Sequence, residues 1–144
     1  MYPLIAASRG GRTEHVTLEI NNDYHAPSVL LRRADGNETP HRGSDLFHCL
    51  QNVRRTLEAD GLLLCCHGAR PLVWPSASDR QMGVGQYACE LRRDPPLTIA
   101  DLADIFEPAD LAEVGTVDEQ EEAALDFLGF DKNKLRWAAQ PPPG

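Results

Sequence analysis

Cysteine and histidine are the residues of this chain that could bind a metal ion. Thiolate and imidazole are the usual zinc ligands, and structural zinc sites normally draw them from closely spaced pairs such as CxxC. The chain contains no CxxC pair. The candidate ligands are Cys65, His67 and Cys89, with His41, His48 or Cys49 to complete the set. Consecutive residues of a strand point to opposite faces, so we predict buried, reduced cysteines and no metal site.

A cysteine nucleophile would need a nearby base, and Cys65 or Cys66 could be served by His67 or His15. Both cysteines end the apolar run LLLCC, however. Burial in apolar surroundings raises the pKa of a thiol and makes it unreactive. We therefore predict no catalytic residue and expect that the protein is not an enzyme.

Residues 75–85 form the only glycine-rich loop and are the best candidate for a small-molecule site. Backbone amides of such a loop can cradle a phosphate, but neither a P-loop nor a GxGxxG motif is present. A hairpin loop that needs positive φ explains the glycines as well. The residues of this alternative ligand-binding site are Ser76, Ser78, Asp79, Arg80, Gly83 and Gly85. We predict no cofactor.

Three N-terminal segments have the pattern of strands. Residues 2–7 are a short apolar run, and residues 15–20 alternate apolar and polar side chains with the period of a half-buried strand. Residues 28–33 follow a turn rich in Asn and Asp and are predicted to be the partner strand of residues 15–20. The simplest interpretation is a small antiparallel sheet.

A helix is predicted after Ser44, its expected N-cap, and Gly61 is expected to end it. The spacing predicts one apolar face made of Leu46, Leu50, Val53 and Leu57. The polar residues of the same segment are expected to be solvated on the other faces: His48, Gln51, Arg54, Arg55 and Glu58.

The middle of the chain predicts further strands. The continuous apolar run 62–66 is typical of a central strand covered on both faces. Residues 71–74 and 86–92 are predicted to form a hairpin whose long loop, residues 75–85, lacks regular structure. Residues 98–106 have helical spacing, which we favour, although a short strand before Pro108 is the alternative.

Thr116 and Glu119 have the spacing of a capping box and predict a helix over residues 117–128, ended by Gly129. Residues 131–139 are expected to add a helical turn or two, and residues 141–144 are expected to be a flexible Pro-rich tail. Together these elements predict a single α+β domain over residues 1–140. Its mainly antiparallel sheet of about five to six strands would be packed by one long central helix and a C-terminal helix.

Length and composition are those of an ordinary globular domain. The chain has 144 residues, 42% hydrophobic and 25% charged, so it can bury a core without disulfides or metals. No apolar run is long enough for a membrane span, and the N-terminus lacks the order of a signal peptide. We expect a cytoplasmic protein that does not bind membranes; its oligomeric state cannot be derived from these features.

The charge distribution is the strongest functional signal. Residues 94–131 hold 12 of the 22 acidic residues and no lysine or arginine. Acidic residues at a helix start are favoured by the helix dipole, but ordinary soluble surfaces mix the two signs. Such a segment repels nucleic acid and attracts basic proteins. The predicted partner-binding residues are Asp101, Asp104, Glu107, Asp110, Glu113, Asp118, Glu119, Glu121 and Glu122.

In size, in the acidic run of residues 101–126 and in the lack of an active-site motif, the chain resembles small acidic immunity proteins of bacterial polymorphic and contact-dependent toxin systems. The resemblance covers no specific motif, so it transfers no residue role. It implies a protein that binds a basic face of a cognate toxin domain and occludes its active site. The alternative is a small enzyme or ligand-binding domain that uses residues 75–85.

Overall fold

In the part of the chain that the structure describes, five antiparallel strands form the larger of two sheets. The computed structural model describes residues 1–82 and 84–129. The strands are β1 (Tyr2–Ala7), β2 (Thr13–Asn21), β3 (Ser28–Arg32), β4 (Glu38–Arg42) and β5 (Leu63–Leu64). Their order is β4-β3-β2-β1-β5, and every pairing is antiparallel. The predicted α+β class and its antiparallel sheet are confirmed.

The first three strands lie where they were predicted, and β2 has the alternation expected of residues 15–20. In the register, Leu4 pairs with Val16 and Leu18 pairs with Leu31, and all four side chains are buried on the same face of the sheet. Paired residues of antiparallel strands face the same side, so apolar residues at every second position line one core. This explains why the segments were recognisable from the sequence.

Strand β4 was not predicted. Its sequence ETPHR has no apolar alternation, and its side chains are exposed or half-buried because it lies at the edge of the sheet. Proline is tolerated at an edge, and Pro40 occupies the middle of the strand opposite Leu30. An edge strand needs only its backbone to pair on one side, so its side chains carry little signal.

Helix α1 (Leu46–Glu58) packs against the buried face of the sheet, where it contacts β3, β4 and β5. The apolar positions Leu46, Leu50, Val53 and Leu57 are all fully buried, as predicted. The N-cap is Asp45 and not Ser44: Asp45 Oδ1 accepts a hydrogen bond from His48 N at 2.7 Å. Gly61 has φ +77° and ends the helix region as predicted.

The expectation that Arg54 is solvated was wrong. Arg54 is fully buried, and its neighbour one turn later, Glu58, has a side chain only 18% exposed. Backbone carbonyls of Gly68 and Gly115 accept hydrogen bonds from the Arg54 guanidinium. The later segments of the chain therefore cover a helix face that the sequence pattern marks as polar.

The run 62–66 is not a central strand. Only Leu63–Leu64 forms β5, which lies at the sheet edge and pairs with β1 alone. Its outer side is covered by residues 105–109: Cys66 and Pro108 form a β-bridge, and Ala109 N donates to Cys65 O at 3.1 Å. The continuous apolar character thus reflects cover by an irregular segment and not by two neighbouring strands.

A smaller antiparallel sheet contains β6 (Val73–Trp74), β7 (Tyr87–Glu90) and β8 (Ala103–Asp104), in that order. β6 and β7 form the predicted hairpin. Its connection is not irregular throughout, because residues Ala77–Met82 form helix α2. The favoured helix over 98–106 was also wrong: a 3₁₀ turn at Ile99–Asp101 leads into β8, so the strand alternative was closer.

Helix α3 (Val117–Phe127) begins with the predicted capping box. Thr116 Oγ1 accepts from Glu119 N at 3.0 Å, and Thr116 N donates to Glu119 Oε1 at 2.8 Å. Gly129, with φ +78°, follows the helix end as expected. The predicted turns over 131–139 and the tail at 141–144 lie outside the described residues.

Candidate functional site

Four of the nine predicted partner-binding carboxylates form ion pairs with arginines from the N-terminal two thirds of the chain. The pairs are Asp101 with Arg92 at 2.9 Å, Glu113 with Arg70 at 3.4 Å, Asp118 with Arg55 at 3.6 Å and Glu119 with Arg9 at 2.8 Å. Residues 94–131 contain no lysine or arginine, but the fold places arginines from other parts of the chain beside them. The Asp118–Arg55 and Glu119–Arg9 pairs are exposed, so each contributes about 0–1 kcal/mol and remains open to exchange with a partner. Asp101 is held more firmly, because the two Nη atoms of Arg92 donate to its two carboxylate oxygens at 3.1 and 2.9 Å.

Asp104 is engaged in hydrogen bonds within the protein. Its Oδ2 accepts a hydrogen bond from the Tyr2 hydroxyl at 2.6 Å, and its Oδ1 accepts one from Phe106 N at 3.0 Å. The hydrogen bond to Asp104, together with burial, raises the pKa of Tyr2 to about 12. Asp104 thus ties β1 to β8 and is only half-exposed.

The other four carboxylates, Glu107, Asp110, Glu121 and Glu122, form no ion pair with any residue in the described ranges. Glu107, Asp110 and Glu122 are exposed, and Glu121 is half-exposed. These side chains are available for ion pairs with an external partner.

Helix α3 places acidic residues in one exposed row. Asp118, Glu122 and Asp126 are spaced by four residues, so they lie on one face of the helix, and all three are exposed. We call these three residues the α3 stripe. The helix packs inward through Val117, Gln120, Ala124 and Leu125.

The helix dipole explains only the start of the α3 stripe. Negative charge is favoured near a helix N-terminus and disfavoured near the C-terminus, where Asp126 lies and where the last turn has no basic residue. Like charges four residues apart also destabilise a helix by about 0.2–0.5 kcal/mol per pair. The sequence-based site omitted Asp126, although its spacing from Asp118 and Glu122 could have indicated it.

The polar residues of the 75–85 loop mostly hold the loop itself. Ser76 and Asp79 cap each other across the start of α2: Asp79 N donates to Ser76 Oγ at 3.0 Å, and Ser76 N donates to Asp79 Oδ2 at 3.2 Å. Ser78 is exposed on α2. Gly83 lies outside the described residues, and Gly85 has φ +74°, which favours glycine.

Arg80 is held against the core and does not extend from the loop. Its guanidinium lies 5.2 Å from the ring centroid of Phe47 and 5.6 Å from that of Trp74. Its Nε lies 3.5 Å from Oδ2 of Asp45, the buried N-cap of α1. These contacts engage the positive charge that a phosphate would need.

A groove of about 670 Å³ opens beside this loop, between α2 and residues 97–102. Trp74, Leu91, Leu97 and Ile99 give it apolar walls, and Ser76 and Asp79 contribute polar groups. We call it the α2 groove. Of the predicted ligand-binding residues, the structure brings only Ser76 and Asp79 to it; Ser78, Arg80 and Gly85 do not line it.

The cysteines that were candidate nucleophiles are buried, and the candidate base His67 lies within hydrogen-bonding distance of a backbone carbonyl. Burial raises the pKa of Cys66 to about 12 and also raises that of Cys65, so neither is activated as a thiolate. His67 Nε2 lies 3.1 Å from Ala88 O. In residues 1–82 and 84–129, no group of three His, Cys, Asp or Glu side chains is arranged to hold a metal ion.

No family model matches the chain, and no curated protein is similar enough in sequence to count as a relative. Among the described residues, no helix combines the length and apolar character needed to cross a bilayer.

Proposed function

We propose that this chain is a protein-binding module, of the kind represented by bacterial immunity proteins, which binds a basic face of a cognate toxin domain in the cytoplasm and occludes its active site. The α3 stripe is the observation that carries the proposal. It is an exposed row of like charges that costs helix stability, and only Asp118 has an ion-pair partner among the described residues. A function that needs negative charge at these positions accounts for that cost.

The proposed interface centres on Glu122 and Asp126 and extends to Glu121. Facing arginines and lysines would raise the association rate by electrostatic steering and would select against acidic proteins. The paired residues Asp118 and Glu119 would contribute by exchanging an intramolecular arginine for one of the partner.

The test begins by isolating the partner from the source cells with the wild-type chain and with the double variant Glu122→Lys/Asp126→Lys. A protein retained by the wild type and lost from the double variant is then produced in a bacterial host with and without the chain. We expect it to stop growth alone and to be neutralised by co-expression. In stopped-flow measurements the double variant should associate at least about tenfold more slowly at low salt.

Two outcomes separate the parts of this proposal. If the double variant associates with the partner as fast as the wild type, the α3 stripe is not the interface. If the partner binds through the stripe but does not harm the host, the chain is a binding module but not an immunity protein. Asp23→Lys/Asp35→Lys, an equal charge change at two exposed residues outside α3 and outside the predicted partner-binding set, is the matched control.

The second candidate is a ligand-binding domain that uses the α2 groove. Its support is the volume of the groove and the presence of Ser76 and Asp79 on an otherwise apolar wall. Isothermal titration with nucleotides tests it, with Leu97→Asp as the groove variant. Binding of a nucleotide to the wild type but not to this variant would favour the ligand-binding function, and absence of heat would remove nucleotides as ligands.

A further inference from the structure

The face of the larger sheet opposite α1 contains a second groove. Leu4 and Val16 are buried on the α1 side, whereas the alternate residues Ile5 and His15, which pair with each other, point to the other side. Ile5 is 43% exposed. The groove has a volume of about 510 Å³, and its principal lining residues are Pro3, Ile5, His15, Cys65, Pro108 and Leu111. We call it the sheet groove.

One wall of the sheet groove is fixed by the backbone. Residues 108–111 run beside β5, where Cys66 and Pro108 form a β-bridge and Ala109 N donates to Cys65 O. A capping box between Asp110 and Glu113 then sets the following turn. Because the β-bridge and the hydrogen bond from Ala109 to Cys65 join backbone atoms and do not depend on the side chains that face the groove, this wall is already formed in the free protein.

The sheet groove is mainly apolar, with Thr13, His15 and Thr17 as polar residues of β2 and Asp110 as its carboxylate. Asp110 contributes a carboxylate to the wall, and no lysine or arginine of residues 1–82 and 84–129 lines it. Asp110 forms no ion pair with the described residues. Cys65 contributes a thiol that is only 5% exposed and is kept neutral by burial and by the nearby Asp110. Such a surface suits neither a metal ion nor an anion.

We propose that the sheet groove is a docking site for a protein segment that places an apolar side chain on Ile5 and Leu111 and a lysine or arginine beside Asp110. Charge complementarity identifies the occupant. The apolar wall accepts a buried side chain, while the Asp110 carboxylate, which has no ion pair within the described ranges, and the net charge of −8 favour a basic neighbour and reject an acidic one. The site lies on the face away from α1, whereas α3 contacts α1, so it is separate from the α3 stripe.

Three synthetic octapeptides test the chemistry directly by titration into the ¹⁵N-labelled full chain. One alternates leucine and lysine, one alternates serine and lysine, and one alternates leucine and glutamate. We expect the leucine–lysine peptide to shift the amide signals of β1 and of residues 108–111 in a saturable manner. The serine–lysine peptide should bind there at least about fivefold more weakly, because it buries no apolar side chain. The leucine–glutamate peptide should not bind there.

Substitutions in the groove provide the second half of the test. Ile5→Asp should weaken the leucine–lysine peptide about fivefold or more, and Asp110→Asn should weaken it about twofold to threefold. Ile99→Asp, at an exposed apolar residue of the α2 groove, is the matched control and should have no effect. The Glu122→Lys/Asp126→Lys variant should also retain the response, which separates this site from the proposed toxin-binding function.

Three results would overturn the inference. Equal binding of the serine–lysine peptide would mean that charge alone attracts the ligand. Signal shifts confined to α3, or spread over all acidic residues, would place the binding elsewhere. Undiminished binding to Ile5→Asp, with its folding verified by a wild-type-like amide spectrum, would remove the groove as the contact.

Discussion

Arg54 of α1 and Gln120 of α3 donate hydrogen bonds to the same backbone oxygen, the carbonyl of Gly68. Arg54 Nη1 lies 3.3 Å and Gln120 Nε2 2.7 Å from it, and both residues are fully buried. Gln120 Nε2 also lies within hydrogen-bonding distance of Arg70 O and Val73 O. Two side chains thus satisfy the carbonyl groups of the irregular connection between β5 and β6, and they fasten α3 to α1.

Replacement of Arg54 by methionine should therefore destabilise the protein strongly. The variant would leave the carbonyl of Gly115 and the half-buried carboxylate of Glu58 without their positive partner. We expect the free energy of unfolding in urea to fall by about 3 kcal/mol, as when one partner of a buried charge pair is removed. Arg55→Met is the matched control: Arg55 is 52% exposed, and its loss should cost at most about 1 kcal/mol. Equal losses in the two variants would contradict this role.

His41 should make stability depend on pH. Its Nδ1 lies 3.1 Å from Thr39 O and its Nε2 lies 2.8 Å from Thr56 Oγ1, so the neutral ring donates to the carbonyl and accepts from the hydroxyl. Burial lowers the pKa of His41 below its ordinary value of 6.5. As the pH falls through 6.5, the unfolded chain therefore binds the proton first, and the folded state loses stability relative to it.

Urea unfolding at a series of pH values between neutral and mildly acidic conditions measures this effect. The loss of stability on acidification should be smaller in His41→Gln than in the wild type. His25→Gln, at an exposed histidine outside the sheet, is the control and should keep the wild-type slope. If His41→Gln has the wild-type slope too, another group causes the pH dependence.

The sequence predicted those strands and helices whose signal lies in neighbouring residues. An apolar run identified β1, alternation identified β2, and the preceding turn identified β3, while the spacing of Thr116 and Glu119 identified α3. In each case the signal lies within one element or next to it. Burial of Arg54 depends on Gly68, Gly115 and Gln120, which are distant in sequence, so the helix pattern alone marked it as solvated. Cover of residues 62–66 by residues 105–109 is likewise a long-range contact.

The candidate site also has a part that the sequence predicts and a part that only the tertiary structure reveals. The acidic excess of residues 94–131 is a property of sequence, but the arginines that neutralise part of it come from four separate places in the chain. Which arginines lie beside which carboxylates could be learned only from the tertiary structure. The sheet groove could not be predicted from the sequence either, because Ile5 and Leu111, which both line it, come from distant segments that share no sequence pattern.

Gly85 tests whether the glycine-rich loop is needed for geometry or for a ligand. Its φ is +74°, and a Cβ there would lie 3.0 Å from Asp45 Cγ and 3.2 Å from Phe47 N. Gly85→Ala should lower the free energy of unfolding by about 2 kcal/mol or more, since backbone strain and a steric clash with the N-cap add together. Gly36→Ala, with φ +90° and open space around it, isolates the strain and should cost about 1 kcal/mol. Equal costs would show that the contact with Asp45 is unimportant.

The α3 stripe predicts a conflict between stability and binding. Glu122→Lys converts two repulsive pairs, with Asp118 and Asp126, into attractive ones, so the free energy of unfolding should rise by about 1 kcal/mol. The same variant should bind the partner more slowly, because it places a positive charge in the centre of the proposed interface. Glu107→Lys makes the same charge change outside α3 and should alter stability by less than about 0.5 kcal/mol. Urea unfolding and stopped-flow association, measured on the same preparations, decide the matter. A Glu122→Lys variant that is less stable than the wild type, or that gains stability without losing association rate, would refute the view that the stripe is retained for binding.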